Sequence, residues 1–311
     1  MLHIGIVGLG GISQKAYLPF MRQFPDIHWH LFTRNQEVLA EVAELFGTVT
    51  TYGSLQALAA APLDGVFIHT ATIARFETTQ AFLQKGIPVY MDKPLTERYA
   101  QTKELYDLAE AHSTFLMAGF NRRFAPKVLK MAEQVDKTRI YVEKNDVNQS
   151  GNFQFKLFDF FVHPLDTALF LTDQELLSGR YQFHKKDGQL YQVSVTLETA
   201  QSTILASMNL QSGSRREIME VQISRATYHL ENLENLSIFE GTKQTIEHFG
   251  SWDTTLYKRG FESIILAFID AIKTNINPVT PESSLLSHWI CQQINTAIEN
   301  TGPLDLNLPK G

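Results

Sequence analysis

The chain opens with an apolar run that passes straight into glycines, Ile4-Gly5-Ile6-Val7-Gly8-Leu9-Gly10-Gly11-Ile12-Ser13. A β run followed at once by Gly-x-Gly and a helical pattern lets bare backbone approach a pyrophosphate while a helix N-terminus offers it N–H groups. Gly8 and Gly10 fit the first two positions of G-x-G-x-x-G, and Ser13 takes the third, where a small residue permits close helix-to-strand packing. A glycine-rich βα turn without a ligand is the plain structural reading of the same loop. Pro19 lies inside the helical pattern that begins near Gly11 and predicts a kink, or a break between two short pieces.

The pattern repeats beyond this loop. Apolar runs at 2–7, 27–33, 49–51, 65–69, 89–91 and 114–118 alternate with amphipathic stretches such as 37–46, 75–85 and 100–111. That order predicts a parallel sheet covered by helices, a doubly wound Rossmann arrangement. After about residue 172 the character changes to alternating polar and apolar runs at 181–184, 191–197, 202–210, 217–223 and 227–230, punctuated by turns such as Lys186-Asp187-Gly188. These predict an antiparallel sheet with one wet face. Helical patterns at 257–273 and 282–299 close the chain. The expected fold class is therefore α/β, with a dinucleotide-binding domain over 1–119 and a C-terminal α/β domain over 120–311.

Composition narrows the partners. With 311 residues, 44% of them apolar, the chain can bury two cores of ordinary size. A net charge of −6, with Lys and Arg scattered, leaves no electrostatic footprint for nucleic acid or an anionic membrane, so a small-molecule ligand is expected. The single cysteine, Cys291, cannot form an intrachain disulfide or a multi-cysteine metal site. Apolar runs such as 264–269 are too short to span a bilayer and no basic leader precedes them, which predicts a soluble, cytoplasmic protein.

Three segments carry candidate chemistry. The run at 89–91 ends in Asp92-Lys93-Pro94, placing a lysine at the carboxyl edge of a parallel strand, where open α/β sheets hold their ligands. Such a lysine can exchange a proton with a substrate hydroxyl, although an isolated Lys-Pro is more often a solvated loop. Asp159, His163 and Asp166 stand at i, i+4 and i+7, on one face if Pro164 leaves the helix continuous. A carboxylate beside an imidazole suits a proton relay. The same spacing suits a divalent metal, but no further ligand stands near in sequence and no metal is expected. Arg122 and Arg123, following the last parallel strand, can neutralise cofactor phosphates, hold a carboxylate or serve as interdomain ion-pair donors.

Taken together, Gly8-Leu9-Gly10-Gly11-Ile12-Ser13, Asp92-Lys93-Pro94, Gly119-Phe120-Asn121-Arg122-Arg123-Phe124 and Asp159-x3-His163-x2-Asp166 resemble the Gfo/Idh/MocA family of oxidoreductases, most nearly its MviM-like branch. The resemblance implies an N-terminal Rossmann domain and a C-terminal domain with a large open, mainly antiparallel sheet that mediates a homodimer or homotetramer. It also implies hydride transfer between a nicotinamide cofactor and a carbon of a sugar, cyclitol or related polyol. By that likeness Lys93 handles a proton or orients the substrate, His163 is the acid/base and Asp159 lies beside it. The residues expected at the cofactor are Gly8, Gly10, Gly11, Ile12, Ser13, Thr33, Arg34, Thr70, Asp92, Lys93 and Arg123. Two positions depart from the family pattern: Asp92 replaces the commoner Glu, and Arg75 stands where many members have His. They motivate an alternative, a non-catalytic NAD(P)-binding regulator or scaffold on the same fold. A reductase of a non-sugar carbonyl or imine would need the same scaffold. The second strand ends at Thr33-Arg34-Asn35 without the acid that binds a ribose 2′-hydroxyl, which predicts NADP in preference to NAD.

Overall fold

The computed structural model of the protein describes residues 1–309. The chain forms two compact units, one of Met1–Gly119 with Phe261–Pro281, the other of Phe120–Gly260 with the segment from Glu282 onward. The helix Phe261–Thr274, which sequence order groups with the C-terminal half, thus belongs to the first unit. Its Phe268 ring stands 4.7 Å from that of Phe67. At Gly65 a Cβ would come within 2.5 Å of Ile272, so glycine is what lets this helix lie against the strand.

The first unit holds a six-stranded parallel sheet. Its strands are β1 (Leu2–Val7), β2 (Ile27–Phe32), β3 (Val49–Thr51), β4 (Gly65–Ile68), β5 (Val89–Asp92) and β6 (Leu116–Gly119), ordered β3-β2-β1-β4-β5-β6. The order reverses between β1 and β4, the switch point at which open α/β sheets leave a crevice beyond their carboxyl ends. β4 and β5 are buried throughout, which is why they read as unbroken apolar runs. Pro19 acts as expected: a wide π turn, Ser13–Tyr17, gives way to a short helix, Leu18–Met21, with the proline in its first turn. Asn35 caps the helix Gln36–Phe46 by accepting from the N–H groups of Glu37 and Val38. The short helix Leu55–Ala59, capped by Ser54, is too brief to register as periodicity.

The second unit is built on a mixed, mostly antiparallel sheet. Its order runs Lys243–Glu247, Asn235–Glu240, Ala226–Glu231, Glu217–Ile223, Lys137–Lys144, Thr203–Asn209, Gln189–Glu198, Ser178–Lys186, Thr301–Pro303. The pairing of Lys137–Lys144 with Thr203–Asn209 is parallel. That central strand, Lys-Thr-Arg-Ile-Tyr-Val-Glu-Lys, carries charge at both ends, and its pattern did not mark it as a strand of this sheet. Ile140, Val142, Ile204 and Ala206 face the core, where the helix Val162–Leu171 covers them. Tyr141, Glu143 and Ser207 on the opposite face stay half-buried, the predicted wet side. No helix among the described residues is long and apolar enough to cross a membrane.

Candidate active site

At the switch point the loop after β1 meets the end of β4. Gly8 has φ +90°, and a Cβ there would lie 2.9 Å from the backbone of His69 and of Thr70, so only glycine closes the two strand ends together. Gly10 and Gly11 are different: a Cβ on either would meet no protein atom within 4 Å. Protein packing does not require glycine there, and its effect is to leave exposed backbone bare for a ligand. Beside them runs a groove of about 510 Å³ bordered by Gly8, Gly10, Thr33, Arg34, Ser54 and Thr70, with no acidic residue in its lining among the described residues. The buried Thr70 hydroxyl has no hydrogen-bond partner among the described residues. Bare backbone and an unsatisfied hydroxyl fit a phosphate-bearing dinucleotide. Ile12 is exposed on the same loop.

Behind the loop lies a buried polar network. Ser13, fully buried, sets its hydroxyl 3.0 Å from Nδ1 of His69, so the residue at the third glycine position does more than fit. The Tyr17 ring stacks on His69 at 4.0 Å, and its hydroxyl donates to Asp92 Oδ1 at 3.0 Å and pairs with that of Tyr90 at 2.8 Å. Burial, then the Asp92 carboxylate, holds the Tyr17 hydroxyl protonated far above the ordinary tyrosine range. Burial, then the Arg75 charge, pushes His69 down to about 3, so its ring is neutral.

Arg75 and Asp92, the two departures from the family pattern, meet each other. Arg75 NH2 lies 3.9 Å from Asp92 Oδ2, while its NH1 donates to the carbonyls of Asp92, at 2.8 Å, and of Pro94, and its Nε to that of Thr70 at 3.0 Å. One buried guanidinium thus ties the turn after β4 to the turn after β5, on which half-buried Lys93 stands. The Asp92 carboxylate, expected at the cofactor, is directed into this network.

In the second unit the helical segment is continuous but not regular. A π turn, Lys156–Phe161, precedes the helix Val162–Leu171, and the N–H of Val162 donates to Leu157. Pro164 has no N–H to give one turn back, and the wider turn accommodates that. His163 and Asp166 point at the two arginines of the 3₁₀ turn Asn121–Phe124. Arg123 donates bidentately to Asp166, at 2.9 and 2.6 Å, and to Ser283 at 2.8 Å. This guanidinium, read from sequence as a cofactor ligand, is bonded within its own unit. Burial raises the Asp166 carboxyl above its ordinary value against the pull of Arg123.

Arg122 bonds Glu217 through Nε and NH2, the latter at 2.8 Å, and places NH1 2.6 Å from His163 Nδ1. Burial favours the neutral Glu217 acid, but Arg122, with Lys144 and Arg259 behind it, overrides this and holds the carboxyl down at about 2. Asp159 is half-buried and its charge acts on Lys156, whose own pKa burial lowers. Guanidinium donors on His163 and Asp166 make this a poor surrounding for a metal cation. Glu217 escaped the sequence reading. It occupies an inward position of the alternating strand Glu217–Ile223, in line with Met219 and Val221, and a carboxylate in an apolar row is the signal that marks it.

Residues 2–120 match the model of the oxidoreductase family with an NAD-binding Rossmann fold, and residues 126–241 that of the YceM-like C-terminal domain. An oxidoreductase by name, YceM of Salmonella typhimurium, is 30% identical over 302 residues, 94% of this chain and 97% of that protein. The chain belongs to the Gfo/Idh/MocA family of oxidoreductases. The crystal structure of a member from Vibrio cholerae is 30% identical and superposes with a TM-score of 0.88 over 94% of this chain and 97% of that one. The MviM dehydrogenase of Clostridium difficile, 29% identical, gives 0.88 over 94% and 98%. Relatives with assigned names include D-xylose 1-dehydrogenase (NADP(+)) 2 of Haloferax volcanii, 31% identical over half of this chain and 47% of its own length. Inositol 2-dehydrogenase of Rhizobium meliloti is 25% identical over 69% of this chain and 72% of its own.

Proposed function

We propose that the protein is an NADP-dependent dehydrogenase acting on a CH–OH carbon of a sugar, cyclitol or related polyol, or reducing the matching carbonyl. The observation that carries this reading is the bare backbone at Gly10 and Gly11 beside a groove without a carboxylate, bordered by Thr33 and Arg34. Gly8, Gly10, Gly11, Ile12 and Thr70 would hold the pyrophosphate side of the cofactor, and Thr33 and Arg34 its 2′-phosphate. When bound, the nicotinamide supplies or accepts hydride at C4. Lys93, held by the Arg75 brace on its turn, and His163, with Asp159 one turn before it, would address the substrate oxygen and its proton. The xylose and inositol dehydrogenases among the relatives support the substrate class. The reading includes a cytoplasmic location and a homodimer or homotetramer through the half-buried face of the second sheet.

Fluorescence titration tests the cofactor. NADPH should bind at least about tenfold more tightly than NADH, with Arg34→Glu abolishing the difference; equal binding to the wild type contradicts the preference. A panel of polyols, sugars and their oxidised forms, followed by nicotinamide absorbance, tests the reaction. Stoichiometric cofactor binding with no turnover across the panel would speak for a regulator instead.

A further inference from the structure

Among the described residues three lysines of the second unit are buried, and they are not alike. Lys127 donates to the carbonyl of Glu234 and, at 2.7 Å, to that of Glu247. Lys137 donates to the carbonyl of Ala132 at 2.9 Å and lies 3.4 Å from Asp173. Lys156 is 6% exposed, and its ammonium has neither a hydrogen bond nor an ion pair among the described residues. Its place is nonetheless built for it. At Gly151 a Cβ would lie 2.8 Å from Lys156 Cε, so glycine makes room for the stem, and Nζ stands 3.9 Å from the centre of the Phe160 ring. Lys144, at the end of the strand Lys137–Lys144, brings a second ammonium to 5.5 Å from the same ring. The carboxylates of Asp146 and Asp159 act on Lys156 without pairing with it, and Asp146 already accepts from Arg215 at 2.8 Å. A buried cation without a counter-ion is costly, and an apolar side chain of similar length would serve the fold at least as well. Lys156 opens the turn that leads to His163, with Asp159, Phe160 and His163 three, four and seven residues further on, a helical spacing.

We propose that the Lys156 ammonium binds an anionic group of the substrate, which is then a sugar or polyol carrying a carboxylate or a phosphate and not a neutral one. The inference rests on the reading that the segment of Asp159 and His163 faces the substrate. An ionised Asp159 offers only acceptors and suits the hydroxyl groups of such a molecule, whereas Lys156 offers only donors and suits its charged end. An ammonium on a flexible stem meets an anion as a point charge, so it serves carboxylate and phosphate alike. The bound anion supplies the partner that Lys127 and Lys137 find within the fold and Lys156 does not. Lys156 is a substrate-binding residue, and no proton or hydride passes through it.

The test is calorimetric titration of the full chain, in the presence of NADP, with aldonates, uronates and sugar phosphates of the common pentoses and hexoses, each against its neutral parent sugar. At least one anionic member should bind at least about tenfold more tightly than its parent. Lys156→Met should remove that gain while melting no lower than the wild type. A gain confined to the aldonates and uronates names a carboxylate, and one confined to the sugar phosphates a phosphate. No gain for any anion in the wild type overturns the proposal, whether or not the variant folds. A gain that survives in Lys156→Met overturns it as well. A gain that depends on Lys156, with no change in nicotinamide absorbance for any member, would leave the anion site standing and overturn the reading that what it holds is a substrate. Turnover of neutral members alone, equal in Lys156→Met, would overturn the proposal and leave the dehydrogenase reading intact.

Discussion

Around Gly10 and Gly11 the protein leaves backbone bare, whereas around Arg122 and Arg123 it buries two cations and matches each with a carboxylate. The first region is shaped by what is missing, and a side chain added there meets nothing of the protein. The second is shaped by side chains that satisfy one another, and removing any of them strands a charge. The contrast is one between backbone left open and side chains that satisfy one another, and it sets Arg123, which sequence reading placed at the cofactor, apart from the loop glycines.

The largest effect should come from breaking the second region. Arg123→Met leaves Asp166 buried without its bidentate partner and should cost about 3–5 kcal/mol in denaturant unfolding, with cofactor affinity unchanged in the folded protein. Unchanged stability with weakened cofactor binding would move Arg123 back to the cofactor. Acid should loosen both regions. Burial holds His69 at about 3 and His288 at about 4, below the ordinary 6.5, so the unfolded chain takes up protons that the native state refuses. Stability is complete above about pH 6.5 and falls as pH drops toward these values. At about pH 5 each ring should account for about 2 kcal/mol of the loss, and His69→Asn should remove its share in thermal melts. The smallest change in stability should come from Gly10→Ala, within about 0.5 kcal/mol. It should nevertheless weaken cofactor binding about tenfold, or about 1.4 kcal/mol. Gly8→Ala should reverse that profile, destabilising the fold because its φ and its contacts with His69 and Thr70 admit no Cβ.

The same contrast explains what was legible in the sequence. The dinucleotide loop and the parallel sheet behind it could be read because their signals are contiguous: an apolar run, then glycines, then a helix. Lys93 and His163 stood out as candidates by motif. Arg75 and Asp92 looked like independent departures, since nothing local says that a residue on a helix after β4 and one ending β5 share a buried guanidinium. Tyr17, His69 and Glu217 were missed because each contributes through a partner dozens of residues away. The helix Phe261–Thr274 reads correctly as a helix, but which sheet it covers depends on a glycine in β4, far from it in the chain.

One kinetic comparison tests the proposed dehydrogenase activity most directly. With a substrate found by the panel, nicotinamide absorbance is followed for the wild type, Lys93→Ala and His163→Ala at saturating NADP, cofactor affinity being measured in parallel. Hydride transfer should fall by at least about 100-fold in each variant while cofactor affinity stays within about twofold. Turnover equal to wild type in both variants would contradict it.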